Sequence, residues 1–245
     1  VSYRLTIGLI FLGALSLFMA IIASSTGPVG IPFSHTISSF IEWTGVGSKN
    51  VSETEKAVIQ NIRLPRIILA FVIGAGLGCS GAVIQGIFRN PMADPGIIGI
   101  SAGGALGAVI AISTGLTLFS TFFLPASAFT GSIIAMILVF IISSTGSGGF
   151  ATSVLLLAGI AISAFFSAIT AAVILLTANL VAQREMLFWL AGGFDSTRWQ
   201  DVHIAIPLII GGLLITLLYS RDLNLLLIGE DEARSLGLRV TRIRT

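Results

Sequence analysis

Hydrophobic residues fall in long uninterrupted blocks along this chain, and the blocks fit membrane spans at 5–24, 66–87, 97–113, 125–143, 153–177 and 202–219. The connections are 25–65, a knot at Arg89–Pro95, 114–124, the Gly/Ser-rich turn Ser143–Gly149, and 178–201. The knot reads Arg89-Asn90-Pro91-Met92-Ala93-Asp94-Pro95, and its prolines and charges forbid a continuous helix in hydrocarbon. Asn90-Pro91 and Asp94-Pro95 read as structural turn pairs closing a hairpin. Small residues recur every fourth position on either side, Gly74-Gly78-Ala82-Gly86 before the knot and Gly99-Gly103-Gly107-Ala111 after it, which lets backbones approach closely. A lipid anchor has no need of such stripes. The pattern therefore predicts an all-α, polytopic bundle of about six spans, one transmembrane domain over 1–245 that includes a cytoplasmic segment, 221–241.

Composition fits that class. The chain is 55% hydrophobic and 10% charged, whereas soluble domains carry about 25% charged residues. From Pro95 to Gln183 there is no charged residue or histidine, a stretch several times the ~20 residues that one span needs. Arg4 followed by Leu5–Ala23 is read as the first span, because that run exceeds a secretory signal core and lacks a small-residue exit. A single cysteine, Cys79, excludes an intrachain disulfide and a cysteine metal site, and the net charge of +2 gives no basic face for nucleic acid.

Six spans place both ends on one side. With the termini inside, the inner basic residues are Arg4, Arg89, Arg221, Arg234, Arg239, Arg242 and Arg244; the outer ones are Lys49, Lys56, Arg63, Arg66, Arg184 and Arg198. The division is nearly even, and the cluster after the last span favours a cytoplasmic C-terminal side. Tyr3 and Tyr219 then fall at the inner boundary, and Trp43, Trp189 and Trp199 at the outer one.

Several residues invite a functional reading. Arg63 and Arg66 lie at the outer mouth of the second span, either as snorkelling side chains or as partners for carboxylates. Gly159, Ser163, Ser167 and Ala171 form a partly hydroxylated stripe that either lines a passage or packs against a helix. Gln85 is read as an interhelical hydrogen bond. Gly229-Glu230-Asp231-Glu232-Ala233-Arg234-Ser235-Leu236-Gly237 has acids at a helix start and a glycine beyond its end, a short self-terminating helix with Ala233 and Leu236 on one face. A secondary transporter needs ionisable groups inside its spans, and here they hold none. An intramembrane hydrolase needs clustered catalytic groups, whereas His35 and His203 stand isolated; without a Walker lysine, any ATP is hydrolysed by another chain. The sequence thus points away from an enzyme, with no cofactor or metal held by the chain itself.

The runs RLPR, Gly74–Gln85, and RNPMADPGIIGISAGGALG from Arg89 to Gly107 resemble the permease subunits of binding-protein-dependent ABC importers for iron chelates, haem and cobalamin. The stretches Leu155–Ala164, Phe188–Trp199 and Leu223–Val240 match in the same order. The resemblance implies a multi-pass subunit of a bacterial inner membrane, half of a homodimer in the lipid bilayer, importing haem or a ferric siderophore, with cobalamin as the alternative. Asp94-Pro95-Gly96-Ile-Ile-Gly looks slightly more like the haem type. It also implies two further partners: a cytoplasmic ATP-binding subunit that holds ATP and Mg²⁺, and an extracytoplasmic substrate-binding protein. In this family the segment containing Gly229, Glu230, Glu232, Ala233, Arg234, Leu236 and Gly237 resembles the helix that couples to the ATPase. By the same resemblance Arg63 and Arg66 would meet acids of the binding protein, and Gly159, Ser163 and Ser167 would lie along the path. Such permeases have about ten spans of the usual ~20-residue length, so this chain is expected to be C-terminally truncated.

If the charge pattern sets the topology, a cysteine introduced at Ser52 in a Cys79→Ala background should react with an impermeant maleimide from outside intact cells. Labelling from the cytoplasmic side alone would reverse the assignment.

Overall fold

A computed structural model of the protein describes residues 3–43, 52–145, 152–229, 233 and 235–237. It is helical, with no strand among the described residues. The helices are α1 (Tyr3–Ser25), α2 (Phe33–Trp43), α3 (Glu53–Val58), α4 (Leu64–Phe88), α5 (Ile100–Ser113), α6 (Phe123–Ser144), α7 (Thr152–Leu176), α8 (Leu180–Ala191), α9 (Trp199–Leu218) and α10 (Ser220–Ile228). Five helical segments are long and apolar enough to cross a membrane: Tyr3–Ser25, Glu53–Phe88, Phe123–Ser144, Ser153–Leu176 and Trp199–Leu218. The expected span 97–113 differs, because α5 has only 14 residues, about 21 Å at 1.5 Å each. Its predicted first residues belong instead to a 3-10 turn, Pro95–Ile98, and Gly99 breaks the helix with a left-handed φ of 86°.

The chain divides into two compact units, Val1–Gly76 with Phe194–Gly212, and Leu77–Gly193 with Leu213–Thr245. In the first unit, the region expected as loop 25–65 contains two helices. Ser52 caps α3: its hydroxyl accepts from Glu55 N–H, and the Glu55 carboxylate accepts from Ser52 N–H, a reciprocal capping box. Between α3 and α4, a π turn at Ile59–Arg63 keeps the two helices continuous. Pro65 explains it, since proline has no N–H for the carbonyl of Asn61, and the ladder shifts so that Leu64 N–H reaches Ile59 C=O.

In the second unit the centre is the antiparallel pair α5 and α6. A Cβ added at Gly103 would collide with the Gly131 carbonyl, one at Gly107 with the Ser127 carbonyl, and one at Gly131 with the Gly103 carbonyl. Ser132 Oγ donates to Ile100 C=O at 3.0 Å across the same interface. Leu106, Ala135, Val139, Ala158, Ile162 and Phe166 then close a core shared with α7. Met186 brings α8 onto the other side of α5, against Val109 and Ile112. That helix replaces part of the expected 178–201 connection. Asn179 starts it by accepting from Val181 and Ala182 N–H, and Gln183 Nε2 returns to the carbonyls of Ile174, in the last turn of α7, and Thr177, just beyond it.

The two small-residue stripes behave differently. Gly103, Gly107 and Ala111 are used in close packing, whereas a Cβ on Gly74 or Gly78 would meet nothing within 4 Å. Gly107→Leu should therefore destabilise the protein by about 1–3 kcal/mol or more through overpacking, read as a lowered thermal midpoint in detergent. Gly74→Leu should leave the midpoint unchanged or slightly raised, since leucine is the better helix former.

Candidate functional site

The outer arginines have separate fates within the first unit. Arg63 is 6% exposed, and its guanidinium donates from Nη1 to Ser24 C=O and from Nη2 to Val29 C=O. Ser24 lies in the last turn of α1, where carbonyls lack intrahelical partners and the helix dipole favours a cation. These two bonds give Arg63 a role inside the fold that its reading as a docking residue did not include. Arg66 sits three residues on and faces the 194–198 turn, where its Nη2 donates to Asp195 C=O at 2.6 Å and its Nη1 lies 3.8 Å from Asp195 Oδ1. The Asp195 side chain is fully exposed and that of Arg66 is partly so, hence the ion pair itself is weak.

Three further polar contacts in this unit were not read from the sequence. Trp199 Nε1 donates to Gln60 C=O at 2.9 Å, and Arg198 N–H donates to Asp201 Oδ2 at 2.8 Å at the start of α9. His35 is not isolated, as its Nδ1 lies 3.2 Å from both Glu55 carboxylate oxygens. The available signal was the stretch Phe194–Trp199, in which Asp, Ser, Thr and Arg crowd a short turn before a long apolar helix.

Along α7 the hydroxylated stripe divides into three environments. Gly159 is buried against the 3-10 turn, where a Cβ would come within 2.5 Å of the Ile97 carbonyl oxygen and 3.0 Å of Ile98 Cα. It therefore serves close packing against that turn. The Ser163 Oγ is buried near Gly99 with no hydrogen-bond partner among the described residues. Ser167 is exposed.

The knot forms from its own side chains. Asn90 Oδ1 accepts from Met92 N–H at 2.9 Å and Asp94 Oδ1 accepts from Gly96 N–H at 2.7 Å, two local turns that start the 3-10 turn at Pro95. The Pro91 carbonyl accepts from Gln85 Nε2 at 3.0 Å. Gln85 thus closes the knot, and among the described residues this bond takes the place of the interhelical one expected.

After α10, Gly229 ends the helix with a φ of 148°, and Ala233 N–H donates back to Gly229 C=O at 3.0 Å. Ala233 is 0% exposed and packs on Leu226, whereas Leu236 is 64% exposed. The two expected to share a face thus differ in burial, Leu236 lying with Gly237, φ 87°, in a turn. Glu230, Glu232 and Arg234 lie outside the described residues.

The comparisons with known proteins agree with this architecture. Residues 14–245 match the FecCD transport family. The cobalamin import system permease protein of Halobacterium salinarum is 41% identical over 194 residues, 79% of this chain and 51% of the relative. The hemin transport system permease protein of Yersinia pestis is 39% identical over 187 residues, 75% of this chain and 55% of the relative. The chain thus spans about half the length of the curated relatives it matches. Among solved structures, a metal-chelate type ABC transporter in an inward-facing conformation superposes with a TM-score of 0.80 at 31% identity, over 96% of this chain and 69% of that one. With matches running through nearly every helix in order, the chain belongs to the FecCD transport family.

Proposed function

We propose that this chain is the membrane permease of a bacterial inner-membrane ABC importer that moves an iron chelate, haem or a ferric siderophore, into the cytoplasm. The carrying observation is the superposition at TM-score 0.80 on a metal-chelate type ABC transporter, joined to a family match over residues 14–245. ATP and Mg²⁺ belong to a separate cytoplasmic subunit, a soluble binding protein delivers the chelate outside, and a second permease copy completes the path. The chain itself carries no reaction chemistry in this reading. Cobalamin is the second reading, favoured by the name of the 41% identical Halobacterium salinarum relative.

Energy coupling runs through the segment after α10. Its contact surface is the exposed Leu236 and not the buried Ala233, which holds the segment onto Leu226. In the full-length protein, Leu236→Asp should lower substrate-dependent ATPase stimulation and import together, with the membrane helices still folded by circular dichroism. Copurification of an ATP-binding subunit with uptake of radiolabelled haem supports the assignment. Uptake confined to cobalamin selects the second reading, and a preparation that recruits no ATPase refutes both.

The outer arginines supply a second test. Arg66→Glu should weaken docking of the binding protein and flatten its salt dependence, since exposed charge attraction is screened over about 8 Å at physiological ionic strength. Arg63→Met should instead remove the partner of the buried Ser24 carbonyl and of the more exposed Val29 carbonyl, and cost about 1–3 kcal/mol of stability, lowering the thermal midpoint. A docking affinity unmoved by Arg66→Glu would remove that residue from the docking surface.

A further inference from the structure

The connection between α5 and α6 is uncharged, its hydroxyl residues Thr114, Thr117, Ser120 and Thr121 alternating with exposed apolar ones. Among its residues Leu118 is 89% exposed and Phe119 80%, with Phe122 and Phe123 exposed beside them, and no charge occurs anywhere from Pro95 to Gln183. Apolar groups of this size leave water for hydrocarbon wherever hydrocarbon is within reach.

Geometry places it within reach. Gly103 meets Gly131 and Gly107 meets Ser127, so α5 and α6 run antiparallel in a fixed register and the connection caps the end of α6 at Phe123. The 22 residues of α6 extend about 33 Å, close to the ~30 Å of a bilayer's hydrocarbon core. With Ser144 at one boundary, Phe123 reaches the other, on the side away from the Arg89–Pro95 knot. Below it, an uncharged groove of about 390 Å³ runs along α6 past Phe123, Ala126, Thr130 and Ile134, with Leu106 and Ile110 on its other wall.

An irregular segment survives in lipid only where its polar groups are satisfied internally. Part of this one's backbone is satisfied within the segment. Gly115 N–H donates to Ile112 C=O, Leu118 N–H to Gly115 C=O, Phe119 N–H to Leu116 C=O and Phe123 N–H to Ser120 C=O, at 3.1–3.2 Å. Thr114 Oγ1 donates to Ile110 C=O at 2.7 Å, and Ser120 Oγ accepts from Phe122 N–H at 3.3 Å.

We propose that residues 116–123 form a lipid-facing cap, with Leu118, Phe119 and Phe122 inserted among phospholipid acyl chains at the leaflet opposite the knot. The segment is no aqueous loop and meets no soluble partner. It also completes the crossing that α5, at 14 residues, does not make as a helix alone.

The test uses the full-length protein, with Cys79→Ala, reconstituted in phosphatidylcholine vesicles. Nitroxides attached at Leu118→Cys and, separately, Phe119→Cys should relax several-fold more with oxygen than with a water-soluble nickel complex. Preferential relaxation by nickel would mean water and overturn the proposal; shielding from both agents would mean a protein cover and overturn it equally. Phe119→Trp, which keeps the aromatic bulk, gives a second reading should the labels disturb folding. Its added emission should be quenched by lipids brominated near the headgroup and spared by iodide, and iodide quenching would again refute the cap.

Discussion

The contact of α5 with α6 sets the second unit. Without a hydrophobic driving force between helices in lipid, association rests on van der Waals packing and a few hydrogen bonds, both of which need short distances. Gly103, Gly107 and Gly131 supply those distances, and Ser132 adds a bond to the Ile100 carbonyl across the same seam. Once the two backbones touch, Leu106 and Ala135 are placed for Ile162 and Phe166 of α7, and Val109 and Ile112 are turned toward Met186 of α8. Four helices thus take their positions from three absent side chains.

In the first unit, charge does the corresponding work. Arg63 joins the end of α1 and the following turn to the head of α4 through two backbone carbonyls. An arginine suits the task because its planar fork addresses two acceptors at once and remains charged when buried. Three residues on, Arg66 has the same chemistry and a different setting, with an exposed aspartate as its partner. The difference between anchor and surface group lies in what surrounds each residue.

Hydropathy made five of the spans and the knot legible, because an apolar run of membrane length has few other readings. Other features were hidden for identifiable reasons. α2, α3 and α8 are short and partly polar, so they read as connection until capping residues such as Ser52 and Asn179 are given weight. The acceptors of Arg63 lie 39 and 34 residues away and are main-chain atoms, which no side-chain pattern reports. Ala233 and Leu236 differ in burial, which a three-residue spacing does not report once Leu236 falls in a turn. As for the α7 stripe, small residues look alike in sequence whether they line a path or admit a backbone, and at Gly159 it is the Ile97 carbonyl that occupies the space.

The joint between the 3-10 turn and α7 has an asymmetry of its own. Gly99 and Gly159 meet there, one required for its left-handed backbone and the other for the room it leaves. Both positions already carry the smallest residue available, so mutation can loosen this joint and can never tighten it. Adaptive tuning of how firmly the knot is held to α7 must therefore fall on surrounding positions such as Ile162 and Ser163, which have side chains to change.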